Sequence, residues 1–358
     1  MIPSRARPVK PPYRRRLADS GPRLVRVDNL PTAPYRRLSR RSQCAPRRVT
    51  VAQTHHLSAQ PPNLRNRWNN QYQPVLTIDP GDTVVFETLD ASEDQLRLDF
   101  TAADVLTMDR GKSHCLTGPV AVRGADPGDV LAVHIEEIIP RTYGFNYSRP
   151  GAGGLPDDFA EPWIRALTWE PGATRVRFAP GIEIPLRPFL GVMGVAPAAD
   201  GEFRTFAPGP HGGNLDNKEL VAGATLYLPV WVPGALFATG DGHATQGDGE
   251  VSVTAIECGM ERVQLRFELR KGGNLPRPQA ETPTHFITMG LDEDLDEAAR
   301  QALRDMIAYL GATRAMQPLE AYGFCSLAVD LRVTQIVNGV KGVHAMLPKS
   351  VFTSASTS

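Results

Sequence analysis

The chain has 358 residues, 41% of them hydrophobic and 22% charged. That length and composition fit a globular protein with one large domain or two medium ones. No run of about 18 apolar residues occurs, so no conventional transmembrane helix is expected.

The formal net charge of +0 conceals an asymmetry. Residues 1–48 hold 13 Arg and Lys10 against Asp19 and Asp28, with eight prolines, and this leaves 25 basic and 37 acidic residues for the rest. A like-charged, proline-rich block with no apolar periodicity cannot bury a core, so a disordered tail is expected. It lacks the apolar segment of a secretory signal, and its prolines oppose the amphipathic helix of a transit peptide. An extraneous extension ahead of a start near Val49 is a further reading of it. No nucleic-acid or membrane partner is expected. The cysteines Cys44, Cys115, Cys258 and Cys325 are scattered without a CxxC pair, which fits free thiols in a reducing, cytoplasmic setting.

From residue 49 onward the dominant pattern is β. Val75–Ile78, the turn Asp79-Pro80-Gly81-Asp82 and Thr83–Thr88 read as strand, turn, strand. The same turn recurs at Asp126-Pro127-Gly128-Asp129, between Pro119–Val122 and Val130–Ile135. Residues 140–200 read as a long loop-rich region. Further strands are predicted at 225–232, 235–239, 250–257 and 262–269. Toward the C-terminus, Leu295, Ala299, Ala302, Leu303, Met306 and Leu310 form a helical apolar stripe with acids at its start and Gly311 as its stop. A second helix is predicted from Leu319 to about Ala328, then a strand over 331–337. The fold class expected is mainly β, a β-sandwich or jelly-roll-like core over 49–285 with a C-terminal α+β part over 286–349 and a disordered tail at 350–358.

The richest chemistry lies in 240–250, where Asp241, His243, Asp248 and Glu250 are interleaved with glycines. In an extended chain Asp241 and His243 share a face, as do Asp248 and Glu250, and a bend at Gln246-Gly247 would let the pairs converge. Carboxylates with a His and room for water suit a catalytic zinc, manganese or iron. The competing reading is a Gly/Asp turn with His243 on the surface, or an acidic loop holding a structural Ca²⁺. Glu257, seven positions beyond Glu250, falls on the opposite face of a 250–257 strand, as a supporting or merely hydrogen-bonded acid. Upstream, His211–Asp216 with its paired glycines can ligate a metal, form an anion nest or make a turn. His114 precedes a strand, while His55 and His56 are more simply surface residues. No GxSxG elbow, P-loop, HExxH or cysteine-nucleophile signature is found, which leaves metal-activated water as the better candidate.

In order along the chain come Pro74–Ile78 with Gly81-Asp82, Leu116–Val120, Gly124–Asp129, Phe189–Pro197, Gly212–Asp216, Leu226–Val230, Gly240–Glu250 and Val343–Lys349. With these motifs the chain resembles the acetamidase/formamidase family over roughly 55–350. The resemblance implies hydrolysis of short amides to carboxylate and ammonia, a homo-oligomer, and dependence on a divalent metal, zinc first; calcium belongs to the rival reading of a structural ion. It carries over Asp241, His243, His114 and Asp216 as metal ligands, and Glu250 and Asp248 as acid–base groups. Asn214 and Gln246 orient the amide or stabilise its oxyanion, and His56 is a substrate-binding candidate. The entry segment from His55 to Trp68 is longer than the family's usual run. Hydrolysis of bulkier amides is the alternative activity on the same scaffold, and a non-catalytic binding protein is the alternative of another class.

Overall fold

The structure, a computed structural model, describes residues 51–353. The basic segment 1–48, with Cys44, and the end of the C-terminal tail lie outside the described residues.

Two sheets make the body. The larger has nine strands, in the order Thr54–Leu57, Thr83–Thr88, Met260–Arg270, Val130–Pro140, Thr225–Pro229, Gln279–Glu281, His285–Asp292, Lys341–Pro348 and Asp330–Gln335. The smaller runs Gly212–Asn214, Phe189–Gly194, Phe237–His243, Leu116–Val122 and Leu64–Arg65, with Leu76–Ile78 parallel beside Leu116–Val122. Their inner faces share one core, in which Phe237 of the smaller sheet packs edge-on against Phe86 and Phe267 of the larger at 6.1 and 5.1 Å. This is the mainly β sandwich that the sequence pattern predicts.

The two Asp-Pro-Gly-Asp turns are corners between the sheets. Leu76–Ile78 lies in the smaller sheet and Thr83–Thr88 in the larger, and the same holds for Leu116–Val122 and Val130–Pro140. Each corner closes alike: the amide of Asp79 donates to Asp82 Oδ2 at 3.0 Å and that of Asp126 to Asp129 Oδ2 at 2.8 Å. Gly81 and Gly128 supply φ values of 103° and 91°, which a side chain would resist.

Residues 140–200 are loop-rich as expected, with short hairpins set among the loops: Tyr143–Ser148 pairs with Trp163–Thr168, and Arg175–Ala179 with Ile182–Pro185. Two expectations about local structure are corrected. Gly311 does not stop its helix. The helix, α1, spans Leu295–Arg314 from an N-cap at Asp294 and ends where Ala315 takes φ 54°. Residues 250–257 form no strand; turns and single bridges replace it. The second helix, α2, spans Pro318–Ala328, with a capping box between Gln317 and Glu320. Both helices pack on the far end of the larger sheet, whose last three strands come from the C-terminal part.

Candidate active site

The smaller sheet delivers the chemistry-bearing residues. Strand Phe237–His243 pairs with Phe189–Gly194, and its last residues are Asp241 and His243. Asn214 ends the edge strand Gly212–Asn214, and Asp216 follows two residues on. His114 precedes Leu116–Val122 on the other side. The connection after His243 folds back and brings Glu250 and Glu257 to the same place. His114, Asn214, Asp216, Asp241, His243, Glu250 and Glu257 all line one cavity of about 640 Å³.

The backbone is bent to achieve this. His114, Asp216, Asp241 and Glu250 have φ of 53°, 47°, 55° and 45°, in the left-handed region that non-glycine residues rarely occupy. Four such residues around one cavity follow the pattern of strain gathered at functional sites. Gly191 lies between them: a Cβ there would meet Asp216 Oδ1 and Asp241 Oδ2 at 2.6 Å and His243 Cε1 at 2.8 Å. The absent side chain is the space the carboxylates occupy.

His243 is the centre of the arrangement. Its Nδ1 lies 3.0 Å from Gln246 Oε1, and Gln246 Nε2 donates to the Asp216 carbonyl at 2.8 Å. That second bond fixes which way the amide faces, so Nδ1 must donate. Nε2 then faces Asp241 Oδ1 and Glu257 Oε2, each at 3.4 Å. Burial disfavours the imidazolium, but Glu257 and Asp241 outweigh it and hold its pKa well above the ordinary value. Burial raises the pKa of Asp216, with the Asp241 charge adding to it. Burial, then the Asp216 charge, pushes Glu250 well up, and burial also raises Glu257. Asp241 moves the other way, because His243 and His114 overcome its burial.

Four buried carboxylates therefore share one close imidazole. Asp216 Oδ1, Asp241 Oδ1 and Glu257 Oε2 are buried without a hydrogen-bond partner. Unpaired acceptors in an interior are costly. Two donor sets, Asp241–His243–Glu257 and Asp216–His243–Glu250, have their ligand atoms within 4.8 Å of one another. This chemistry fits a divalent cation. Because Gln246 takes Nδ1 and leaves Nε2 for a metal, the first set fits better.

The structure places the other sequence-predicted residues as follows. Asn214 lines the cavity; its Nδ2 donates to the Phe206 carbonyl at 3.1 Å, and its buried Oδ1 has no partner. His114 lines the cavity stacked on Phe206, their centroids 5.8 Å apart. Asp248 does not: it pairs with Lys218 at 2.9 Å, partly exposed, because the bend at Gln246–Gly247 turns it outward. His56 is exposed on the edge strand Thr54–Leu57 and also lies outside the cavity lining. Gln246 sits behind His243 rather than in the cavity.

Asn338 is the addition, and Glu257 and His211, which the sequence offers without a firm role, join it in the cavity. Asn338 donates to Asp216 Oδ2 at 2.6 Å. His211 is half-buried with its Nε2 fully buried, and desolvation drives its pKa to about 4, so a neutral imidazole lines the cavity beside Asn214. Strand parity hid Glu257, since the parity argument needs a strand that does not form. The adjacent Glu257-Cys258 at the end of a Gly/Asp-rich stretch was the available signal.

The family model described as the Acetamidase/Formamidase family matches residues 50–202 and 198–354. The chain belongs to the acetamidase/formamidase family. It is 29% identical to the formamidase of Methylophilus methylotrophus over 345 residues, 77% of this chain and 84% of that one. Its fold superposes on the crystal structure of the Bacillus halodurans acetamidase with a TM-score of 0.78 at 36% identity, covering 83% of this chain and 98% of the other. For the Yersinia enterocolitica acetamidase the TM-score is 0.78 at 29% identity, with 86% and 95% covered. The chain is thus an amide hydrolase of this family. Cys115, Cys258 and Cys325 are free and buried, and burial raises the Cys115 and Cys258 thiols to about 12; neither is a ready nucleophile. No helix among the described residues is long and apolar enough to cross a membrane.

Proposed function

We propose that this amide hydrolase cleaves short aliphatic amides of the formamide and acetamide kind to carboxylate and ammonia, and does so with a divalent metal held by Asp241, His243 and Glu257. The observation that carries the reading is that His243 Nε2 stands 3.4 Å from both Asp241 Oδ1 and Glu257 Oε2, with both oxygens otherwise unpartnered. A nitrogen in the donor set favours zinc over calcium, which prefers oxygen ligands. When bound, such a metal polarises an amide carbonyl and acidifies a water.

The chain's own residues do the rest. Asn214, whose Oδ1 lacks a partner while one Nδ2 hydrogen goes to the Phe206 carbonyl, accepts from the substrate N–H₂ and sets the amide plane. Glu250, with its raised carboxyl pKa, takes the proton of the attacking water and returns it to the departing nitrogen. That return is needed because an amide anion is a poor leaving group. Asn338 holds Asp216 by one oxygen, and Gln246 holds His243, so both act by positioning. His114, with a buried Nδ1 that has no partner, supports the negative Asp241. No role is proposed for Asp248 or His56. The homo-oligomer that family resemblance implies has a candidate face on α2, where Leu319, Tyr322 and Leu327 are exposed.

Ammonia release from formamide, acetamide and propionamide by the purified full chain tests the proposal. Turnover of these amides is expected; its absence with metal-loaded protein would refute it.

A further inference from the structure

The cavity carries a second concentration of charge. Arg67, Arg110, Arg149 and Arg204 line it together with the carboxylates. Among the described residues, none of these four arginines forms an ion pair, whereas Arg123, Arg141, Arg175 and Arg277 each hold an acid. The strands Arg67–Trp68 and Phe203–Arg204 pair so that Arg67 stands directly opposite Arg204. Like charges at opposed positions of a β pair repel. Arg149 is partly buried, and burial first, then the neighbouring Arg110 cation, lowers its pKa. Two couples of arginines are thus held together against their mutual repulsion, with no ion-paired carboxylate among the described residues to offset it.

Their place in the cavity follows from burial. Arg110 and Arg204 are exposed and Arg67 and Arg149 half-buried, while Asp216, Asp241, Glu250 and Glu257 are buried at the floor. The cavity is acidic at its base and basic at its rim. A volume of about 640 Å³ lies within the roughly 300–1,000 Å³ range of pockets for drug-sized ligands. A three- or four-heavy-atom neutral amide fills little of it and has no use for a guanidinium. Guanidinium groups pair with carboxylates through two parallel hydrogen bonds.

We infer that the preferred substrates are short linear amides that carry a carboxylate at the end remote from the amide, the monoamides of small dicarboxylic acids. The amide group meets the floor, and the remote carboxylate meets the rim arginines. Water adds to the amide carbon, the C–N bond breaks, the nitrogen leaves with the proton as ammonia, and the dicarboxylate is released. This inference rests on the amide-hydrolase reading of the floor given above.

The test compares two amides of equal chain length, succinamate and butyramide, with acetamide as reference, using the metal-loaded full chain. The kcat/KM for succinamate is expected to exceed that for butyramide by about tenfold or more, the scale of a hydrogen bond to a charged group. R149Q and R204Q should each shrink that ratio severalfold, and R204K should retain more of it than R204Q. Raising the salt should also narrow it, because the rim is exposed. A succinamate value equal to or below that of butyramide overturns the inference while leaving the amide-hydrolase reading intact. A ratio untouched by R67Q, R149Q and R204Q alike also overturns it. If none of the three amides releases ammonia, the reading of the floor fails and this inference with it.

Discussion

Gln246 Oε1 stands 3.0 Å from His243 Nδ1, and this contact determines which face of the imidazole the cavity receives. An amide oxygen only accepts, so Nδ1 keeps its proton in either charge state of the ring. Nε2 is then the atom left for a metal. Replacement of Gln246 by Leu should weaken metal binding by about 10–100-fold, the usual effect of removing a partner behind a ligating histidine. Chelator competition measures it. Undiminished affinity would show that the ring is held by packing, such as the edge contact of Phe189 at 5.0 Å.

Glu250 and Glu257 are both buried acids of the same cavity, yet they stand differently toward His243. Glu257 Oε2 faces His243 Nε2, whereas Glu250 does not share that contact. Glu257→Gln should lower metal content. Glu250→Gln should retain metal and lose turnover by on the order of 10²–10⁴-fold, the range for loss of a general acid–base group. Metal analysis and kinetics on the same preparations distinguish them. A reversed pattern would exchange the two assignments.

Gly191→Ala adds one methyl group where three site atoms stand 2.6–2.8 Å away. Overpacking of this kind costs about 1–3 kcal/mol, and here the atoms that must yield are Asp216, Asp241 and His243. The variant should lose most of its metal affinity together with that stability, read by chelator competition and denaturant unfolding. A fully active variant would mean that the cavity floor is softer than its burial indicates.

The legible part of this protein was local. The alternation of Asp241 and His243 survives because both lie on one strand, and period-two patterning reports a strand's two faces directly. The helix stripe from Leu295 to Leu310 was legible for the same reason, although Gly311 misled because a single glycine does not end a helix that still has a turn to pack. Glu257 and Asp248 were misjudged together. Both lie in a connection whose path is set by single bridges, Glu257 with Phe145 and with His243, and such contacts leave no periodicity. The sheet-switching of the Asp-Pro-Gly-Asp turns was hidden too, since a turn sequence fixes local backbone and not the partner of the strand that follows. The rim arginines come from four separate segments, which only the fold brings together.

His344 gives a pH prediction away from the cavity. It is buried with Nδ1 2.7 Å from Thr334 Oγ1, its Nε2 has no partner, and burial lowers its pKa from 6.5 to about 4. Between those values the unfolded chain takes a proton that the folded chain refuses. The stability of the neutral form is therefore full above about pH 6.5 and falls as the pH drops toward 4, by up to about 3 kcal/mol. Urea unfolding of the wild type and His344→Gln at pH 7 and 4.5 should show the wild type losing more than the variant. Equal losses would contradict the assignment.

The central claim is that Asp241, His243 and Glu257 hold a divalent metal on which amide hydrolysis depends. Its most direct test is metal content and acetamide-dependent ammonia release, measured on one preparation as purified, after exhaustive chelation, and after addition of zinc. The account predicts close to one metal ion per chain, loss of both metal and activity on chelation, and recovery of both on reconstitution. Full activity in protein shown to be free of metal would contradict it.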